Sequence, residues 1–302
     1  MIRIDILDYL PKEVIPKNGD NKPLLIEKKK NKLLLSYSSI RAKNLLINRF
    51  INLSYKDFIA IGLYLAEGAK SVRLNHKLKH TGEMKFNNSQ VISCKIFLNF
   101  LEKLGIKRKL LNWNLGLNIN LKNKVRRREL IEYWVNNLEV DPNKKTKKWL
   151  VYKGVIGGFL SNNTGKFGCI EIRYSSTLFR SFILNLIYRL FDEYIEKQNK
   201  EISSLILKGY FAGDGHVNYG KKQIKYWRRN LEFLCNDENL RNKLRKALEI
   251  VGLTSIKETD PINTKTHSHS LRIYNYHDFN VLKQYDIPNL IPYKRETFEG
   301  LM

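Results

Sequence analysis

The feature that most constrains this chain is a motif it carries twice. Gly62-Leu63-Tyr64-Leu65-Ala66-Glu67-Gly68 recurs as Gly209-Tyr210-Phe211-Ala212-Gly213-Asp214-Gly215, an offset of 147 residues when Glu67 is laid on Asp214. At the same offset Phe86 meets Phe233 and Gly105 meets Gly252. Both of these glycines follow helical patterns, Val91–Leu104 and Leu240–Val251, and stand where a C-cap glycine is expected. The match runs without a gap from Gly62 to Gly105. A diverged internal duplication therefore restricts the chain to two copies of one folding plan.

The plan is helix, two strands, helix, two strands, helix. Ser54 and Asp57 mark the first helix start, with Asp in place of the usual Glu of a capping box. The helix runs on through Ala66, is apolar almost all round, and ends at Glu67-Gly68. Strands are expected near 71–75, 83–87, Lys107–Asn112 and Leu117–Leu121 in the first copy. In the second they are expected near 216–219, 230–235, Ser255–Glu258 and Ser270–Tyr274. The fold class is α+β, with halves at 53–150 and 203–302. Residues 1–52 form a basic N-terminal preface with a helix-like stretch near Ser39–Phe50. Residues 151–202 supply a connecting strand, Cys169–Tyr174, and an amphipathic helix near Thr177–Lys197, expected to pack against one copy.

Charge narrows the partner. The 302 residues hold 54 Lys and Arg against 29 Asp and Glu, a formal charge of +25. Such an excess repels itself in the folded state, and a polyanion offsets it, with nucleic acid the leading choice. A hydrophobic fraction of 43% is enough for a core and argues against a disordered basic tail. Cys94, Cys169 and Cys235 stand far apart, which excludes a zinc ribbon and a disulfide framework and points to a reducing interior. No apolar run approaches the ~18 residues of a membrane span, and no signal-peptide core opens the chain. A soluble intracellular protein, in the cytoplasm or an organelle interior, is expected.

The repeated helix carries the chemistry. Gly62 with Ala66, and Gly209 with Gly213, are four residues apart, so each pair lies on one helix face and lets two backbones approach. Two copies of such a helix would pack about a pseudo-twofold axis and bring Glu67 and Asp214 together. A carboxylate at a helix C-terminus is disfavoured by the macrodipole and, here, by its like-charged neighbour. A divalent cation with hard oxygen ligands, Mg²⁺ above all or another such as Mn²⁺, would offset both.

The two quoted motifs, with their matching downstream landmarks, resemble those of the LAGLIDADG homing endonucleases in the double-motif, single-chain form. The resemblance covers roughly 53–150 and 203–302. It implies two pseudo-symmetric αββαββα halves whose sheets form a saddle over the DNA major groove. The paired helices would then hold metal over the minor groove through Glu67 and Asp214, with the carbonyls of Ala66 and Gly213 as further ligands. The family often sets a basic residue near each scissile phosphate. Lys148, 81 residues after Glu67, and Lys294, 80 after Asp214, fit that place. Lys147 competes with Lys148, and Lys70 is a third candidate that serves one side only, since its counterpart is Val217.

Basic and aromatic residues gather on the expected strands. Arg73, Lys77, Lys79 and Lys85 flank the first hairpin. Lys221, Lys222, Lys225, Trp227, Arg228 and Arg229 lie on the second, and Arg272 lies on a later strand. A two-stranded ribbon fits the major groove, where such side chains read bases or touch phosphate. The histidines form no site: His76 and His80 lack a completing Glu or Cys, and His267 and His269 sit in a Thr/Ser-rich turn. No phosphate-binding G-x-x-x-x-G-K-[ST] loop occurs. The expected activity is a metal-dependent double-strand cut in a long, non-palindromic duplex by one polypeptide. An RNA maturase acting on its own intron with the same fold is the alternative. The ends lack the Cys or Ser start and His-Asn finish of protein splicing, so an intron-encoded or free-standing enzyme is expected rather than an intein.

Overall fold

The computed structural model describes residues 1–16, 20–39, 43–68, 72–74, 77–79, 82–118, 127–146, 150–152, 167–221, 227–259 and 269–302. The chain divides into two compact units, Met1–Ser54 with Glu67–Tyr188, and Tyr55–Ala66 with Arg189–Met302. Each mixes helices with largely antiparallel sheet, so the class is α+β as the sequence implies.

The first unit begins with β1 (Ile2–Asp5), β2 (Glu13–Val14), β3 (Lys22–Pro23), β4 (Leu25–Lys29), β5 (Lys32–Ser36), β6 (Leu45–Asn48) and β7 (Phe50–Leu53). β4, β5 and β6 form an antiparallel sheet, β2 pairs with β3, and β7 returns to pair with β1. The helix-like stretch expected near Ser39–Phe50 is therefore corrected to a strand and the start of a second. Along β6 Leu45 and Ile47 are buried while Leu46 is 43% exposed, a period of two rather than 3.6. β7 leads into α1 (Tyr55–Glu67), whose bounds agree with the sequence reading.

β8 (Val72–Leu74) and β9 (Lys77–Lys79) pair with each other, and β10 (Met84–Asn88) precedes α2 (Val91–Lys103). The preface is tied to the end of α2. The Asn48 backbone N–H donates to the Leu104 carbonyl at 3.2 Å, and its Nδ2 donates to the Lys103 carbonyl at 2.9 Å. Both groups satisfy carbonyls that a helix end leaves open.

Next come β11 (Asn112–Asn118), α3 (Arg127–Leu138), β12 (Leu150–Tyr152), β13 (Cys169–Tyr174) and α4 (Thr177–Glu196). The sheet order is β10-β13-β11-β12. Two expectations change here. The strand expected at Lys107–Asn112 is a single 3-10 turn, Arg108–Leu110, with one strand after it. The connecting strand Cys169–Tyr174 is instead a central strand of the first sheet, because Ile170 and Ile172 belong to the same apolar face as Phe86 and Trp113. The first half thus completes its pattern only at α4, and residues 119–168, holding α3 and β12, interrupt it.

The second unit follows the plan without interruption: α5 (Lys200–Asp214), β14 (Gly215–Lys221), β15 (Trp227–Leu234), α6 (Glu238–Val251), β16 (Ile256–Thr259), β17 (Ser270–Ile273) and α7 (Tyr276–Gln284). A closing helix, α8 (Pro292–Glu299), comes after it. The sheet order is β14-β15-β17-β16. Gly105 and Gly252 both end their helices at positive φ, 99° and 108°. Such angles suit glycine, as expected of C-caps. No described helix is long and apolar enough to cross a membrane.

Candidate active centre and nucleic-acid interface

The two motif helices cross at their glycines. A Cβ added to Gly62 would lie 1.9 Å from the Ile206 carbonyl oxygen, and one added to Gly209 would lie 2.0 Å from that of Ile59. Ile59 and Ile206 are themselves related by the repeat offset, so the contact is reciprocal. Small residues at the expected spacing thus let α1 and α5 meet backbone to backbone. Phe58, Ile61, Leu63, Tyr64, Ile206, Leu207 and Phe211 bury the rest of the two helices.

Each helix ends on its acid, five residues past the crossing glycine. Glu67, the last residue of α1, is half-buried and accepts a long hydrogen bond of 3.4 Å from Asn88 Nδ2. Asn88 is itself held, since its Oδ1 accepts from the Gln90 backbone N–H at 2.8 Å. Asp214, the last residue of α5, is half-buried, and the N–H of Gly215 closes the helix on Phe211. The glycine after each acid starts the sheet in the same register: Gly68 bridges Phe86, and Gly215 pairs with Phe233.

Lys294 lies at the C-terminal end of α5. It is 4% exposed, and its ammonium donates to the carbonyls of Phe211, Ala212 and Gly213 at 2.8, 2.8 and 3.1 Å. These include the Gly213 carbonyl expected to serve as a metal ligand. A buried cation on the last carbonyls opposes the macrodipole and fixes the last turn that carries Asp214. Lys148, Lys147 and Lys70 lie outside the described residues. The carbonyl of Ala66 ends the same helix as Glu67.

Each sheet has one apolar face toward the helices and one polar face. Phe86 stacks on Phe97 of α2 at 4.3 Å, and Phe233 meets Phe211 of α5 at 5.1 Å. Their neighbours along the strands point the other way. On the first sheet that face carries Lys85, Asn87, Asn112, Asn114, Glu171 and Arg173. On the second it carries Asn218, Asn230, Glu232, Ser270 and Arg272. Lys85 is paired with Glu83 at 3.1 Å, and Arg272 Nε donates to Glu232 at 2.9 Å.

Burial works against the Glu232 carboxylate, but hydrogen bonds from Ser270, Arg272 and Asn218 hold it below the usual range. Burial likewise opposes the Arg272 guanidinium, and Glu232 and Tyr274 outweigh it. The remaining expected contacts fall at the strand ends. Arg73, Lys77 and Lys79 lie on β8 and β9, Arg229 is exposed opposite Tyr219, Arg228 pairs with Gly220, and Lys221 pairs with Trp227. Lys222 and Lys225 lie outside the described residues, as do His76, His80 and His267. The sequence reading missed Glu171, Arg173, Asn218, Asn230 and Glu232. Their signal is alternation, as in Asn230-Leu231-Glu232-Phe233 and Glu171-Ile172-Arg173, where polar residues interleave with core ones.

Two half-chains built on one plan, each with an acid-ended helix and a polar sheet face, define a duplicated α+β fold. Residues 201–284 match the family model described as LAGLIDADG-like domain. A comparison with curated proteins finds no match. Among solved structures, the chain is similar to the N-terminal LAGLIDADG domain of DUF199/WhiA, at 12% identity over 77% of this chain and 83% of that one, TM-score 0.38. It is similar to I-DmoI in complex with DNA and Ca, at 15% identity over 80% and 96%, TM-score 0.34. It is also similar to mesophilic variants from the homing endonuclease I-DmoI, at 15% identity over 78% and 98%, TM-score 0.32.

Proposed function

We propose that the protein is a homing-type DNA endonuclease that acts as a single chain inside the cell. Its substrate is a long, non-palindromic duplex, and it cuts both strands in the presence of Mg²⁺ or Mn²⁺. The observation that carries this reading is the reciprocal crossing of α1 and α5, with an acid five residues beyond each crossing glycine. Structural helix ends have no need of a carboxylate at the unfavourable pole of the dipole, twice, in the same register.

The donor set suits a hard divalent cation in its chemistry: carboxylate oxygens at helix ends, with backbone carbonyls beside them. Among the described residues no group of three or more His, Cys, Asp or Glu gathers, so the ion would keep water and substrate oxygens as its other ligands. When bound, it would make a water more acidic and offset charge on the reacting phosphate. Glu67 and Asp214 would hold it and orient that water. Asn88 fixes the Glu67 carboxylate, and Lys294 fixes the last turn of α5. The polar sheet faces would bind the duplex and set the site that is cut.

The experiment is selection of cleavable sequences from a randomised duplex library in Mg²⁺. Recovery of one long, unsymmetrical site supports the reading. Uncut duplex at every cation, with tight binding only to structured RNA, would replace it by the maturase.

A further inference from the structure

The two sheets carry an arginine at the same register position. Arg173 stands opposite Lys85 and Arg272 opposite Glu232, and Lys85 and Glu232 are related by the repeat offset. Each arginine donates from Nε to a glutamate that is 8% exposed, Glu171 for Arg173 and Glu232 for Arg272. The glutamates, however, come from different places. Glu171 lies two residues before Arg173 on β13, where the second half has Ser270. Glu232 lies across the ladder on β15, where the first half has Lys85. A relic of the duplication would keep acid and base at matched positions. Here the base is matched and the acid has been supplied afresh, so the pairing itself is what the two halves share.

A buried carboxylate is an unexpected occupant of a polar face in a chain of charge +25. It loses hydration and repels phosphate. What it provides is direction. A guanidinium gripped through Nε, and in Arg173 through Nη2 as well, keeps its plane and side-chain rotamer, with Glu83 3.8 Å from Arg173 Nη1 and Tyr274 beside Arg272 bracing the same planes. Bidentate donation to O6 and N7 of guanine requires such a plane. Ser270, donating to Glu232 at 2.5 Å, and Asn218, donating at 3.3 Å, fix the acid in turn.

We propose that Glu171 and Glu232 are positioning residues that set Arg173 and Arg272 to read one G·C pair in each half of a duplex target. This rests on the nuclease reading above, under which the two polar faces meet a major groove.

The test is a binding selection with the full chain on randomised duplex in chelator, so that recognition is scored apart from cutting. The wild type is expected to enrich guanine at one position in each half-site. Glu232→Gln is expected to relax guanine preference about tenfold at one of these positions only, and Glu171→Gln at the other. Arg272→Lys and Arg173→Lys, which keep the charge but not the fork, should lose the same positions. Thermal melting of each variant within a few degrees of wild type excludes a general loss of fold. A selected site unchanged in all four variants would overturn the proposal, and so would preference lost evenly across the site. A wild type that binds duplex but enriches no sequence would overturn the nuclease reading, and this inference with it.

Discussion

Gly62 and Gly209 are interchangeable partners: each lies against the backbone carbonyl of the isoleucine three residues before the other. No methyl group fits at either place without moving backbone. Gly62→Ala and Gly209→Ala are each expected to cost about 3 kcal/mol or more by forcing the helices apart. For a chain of this size that is a fall in Tm of roughly 5–10 °C, read by thermal denaturation. A variant that melts with the wild type would refute the crossing.

Removing the charge at either helix end should separate cutting from binding. Glu67→Gln and Asp214→Asn are expected to slow double-strand cleavage by a hundredfold to a thousandfold, on the order seen when transition-state charge loses a partner. Duplex affinity should change little, because the acids end the motif helices and are not among the side chains of the polar sheet faces. Parallel loss of both in gel-shift and cleavage assays would give them a structural role instead.

Lys294 gives a different signature. Its ammonium closes three carbonyls of α5, so Lys294→Met should loosen the last turn of that helix and not merely lower activity. Charged hydrogen bonds of this kind contribute about 1.5–3 kcal/mol each when intact. Faster amide exchange at residues 212–215, read by mass spectrometry, is the expected outcome. Unchanged exchange with lost cleavage would place Lys294 in the chemistry directly.

Affinity for duplex should fall steeply with salt. Some eight phosphate contacts would give a log–log slope of about −7. Neutralising a lysine that touches only phosphate should reduce the slope by about one, with the selected sequence unchanged. A flat salt dependence would be inconsistent with a basic duplex-binding surface.

The cysteines bear on alkaline stability. Burial, with the charges of Glu67 and Glu171 adding to it, pushes the Cys169 thiol up, and burial pushes Cys94 up as well. The unfolded chain ionises its thiols near pH 8.5. The folded state holds their protons to higher pH, so this contribution is complete below that value and falls as pH rises beyond it. Urea midpoints are therefore expected to decline above about pH 9, less so in Cys94→Ala than in wild type, and thiol reagents should not label Cys94, which is buried, in the native state at neutral pH. Rapid native labelling of Cys94 would contradict its burial.

Local signals carried much of this structure in the sequence. The bounds of α1, the glycine caps at Gly105 and Gly252, and the matched acids all follow from patterns a few residues long. The place of β13 does not, because pairing Ile172 with Phe86 depends on closure across residues 119–168. Asn48 as a lid on α2, and Lys294 as a lid on α5, are invisible for the same reason: each partner is more than 50 residues away. The acids of the candidate centre were legible because the motif repeats. The arginine buttresses were not, because the repeat is broken at those positions.

The membership of α1 has a consequence for the birth of the protein. This helix is made early, yet residues 55–66 belong with the unit built around α5, which leaves the ribosome 147 residues later. At about 5–20 residues per second, the interval is roughly 7–30 s. Throughout it, a nearly all-apolar segment has no partner helix to cover it. The nascent chain is thus a natural client for a chaperone, and slowing translation between the two motifs should lower the yield of active protein more than slowing it after Asp214.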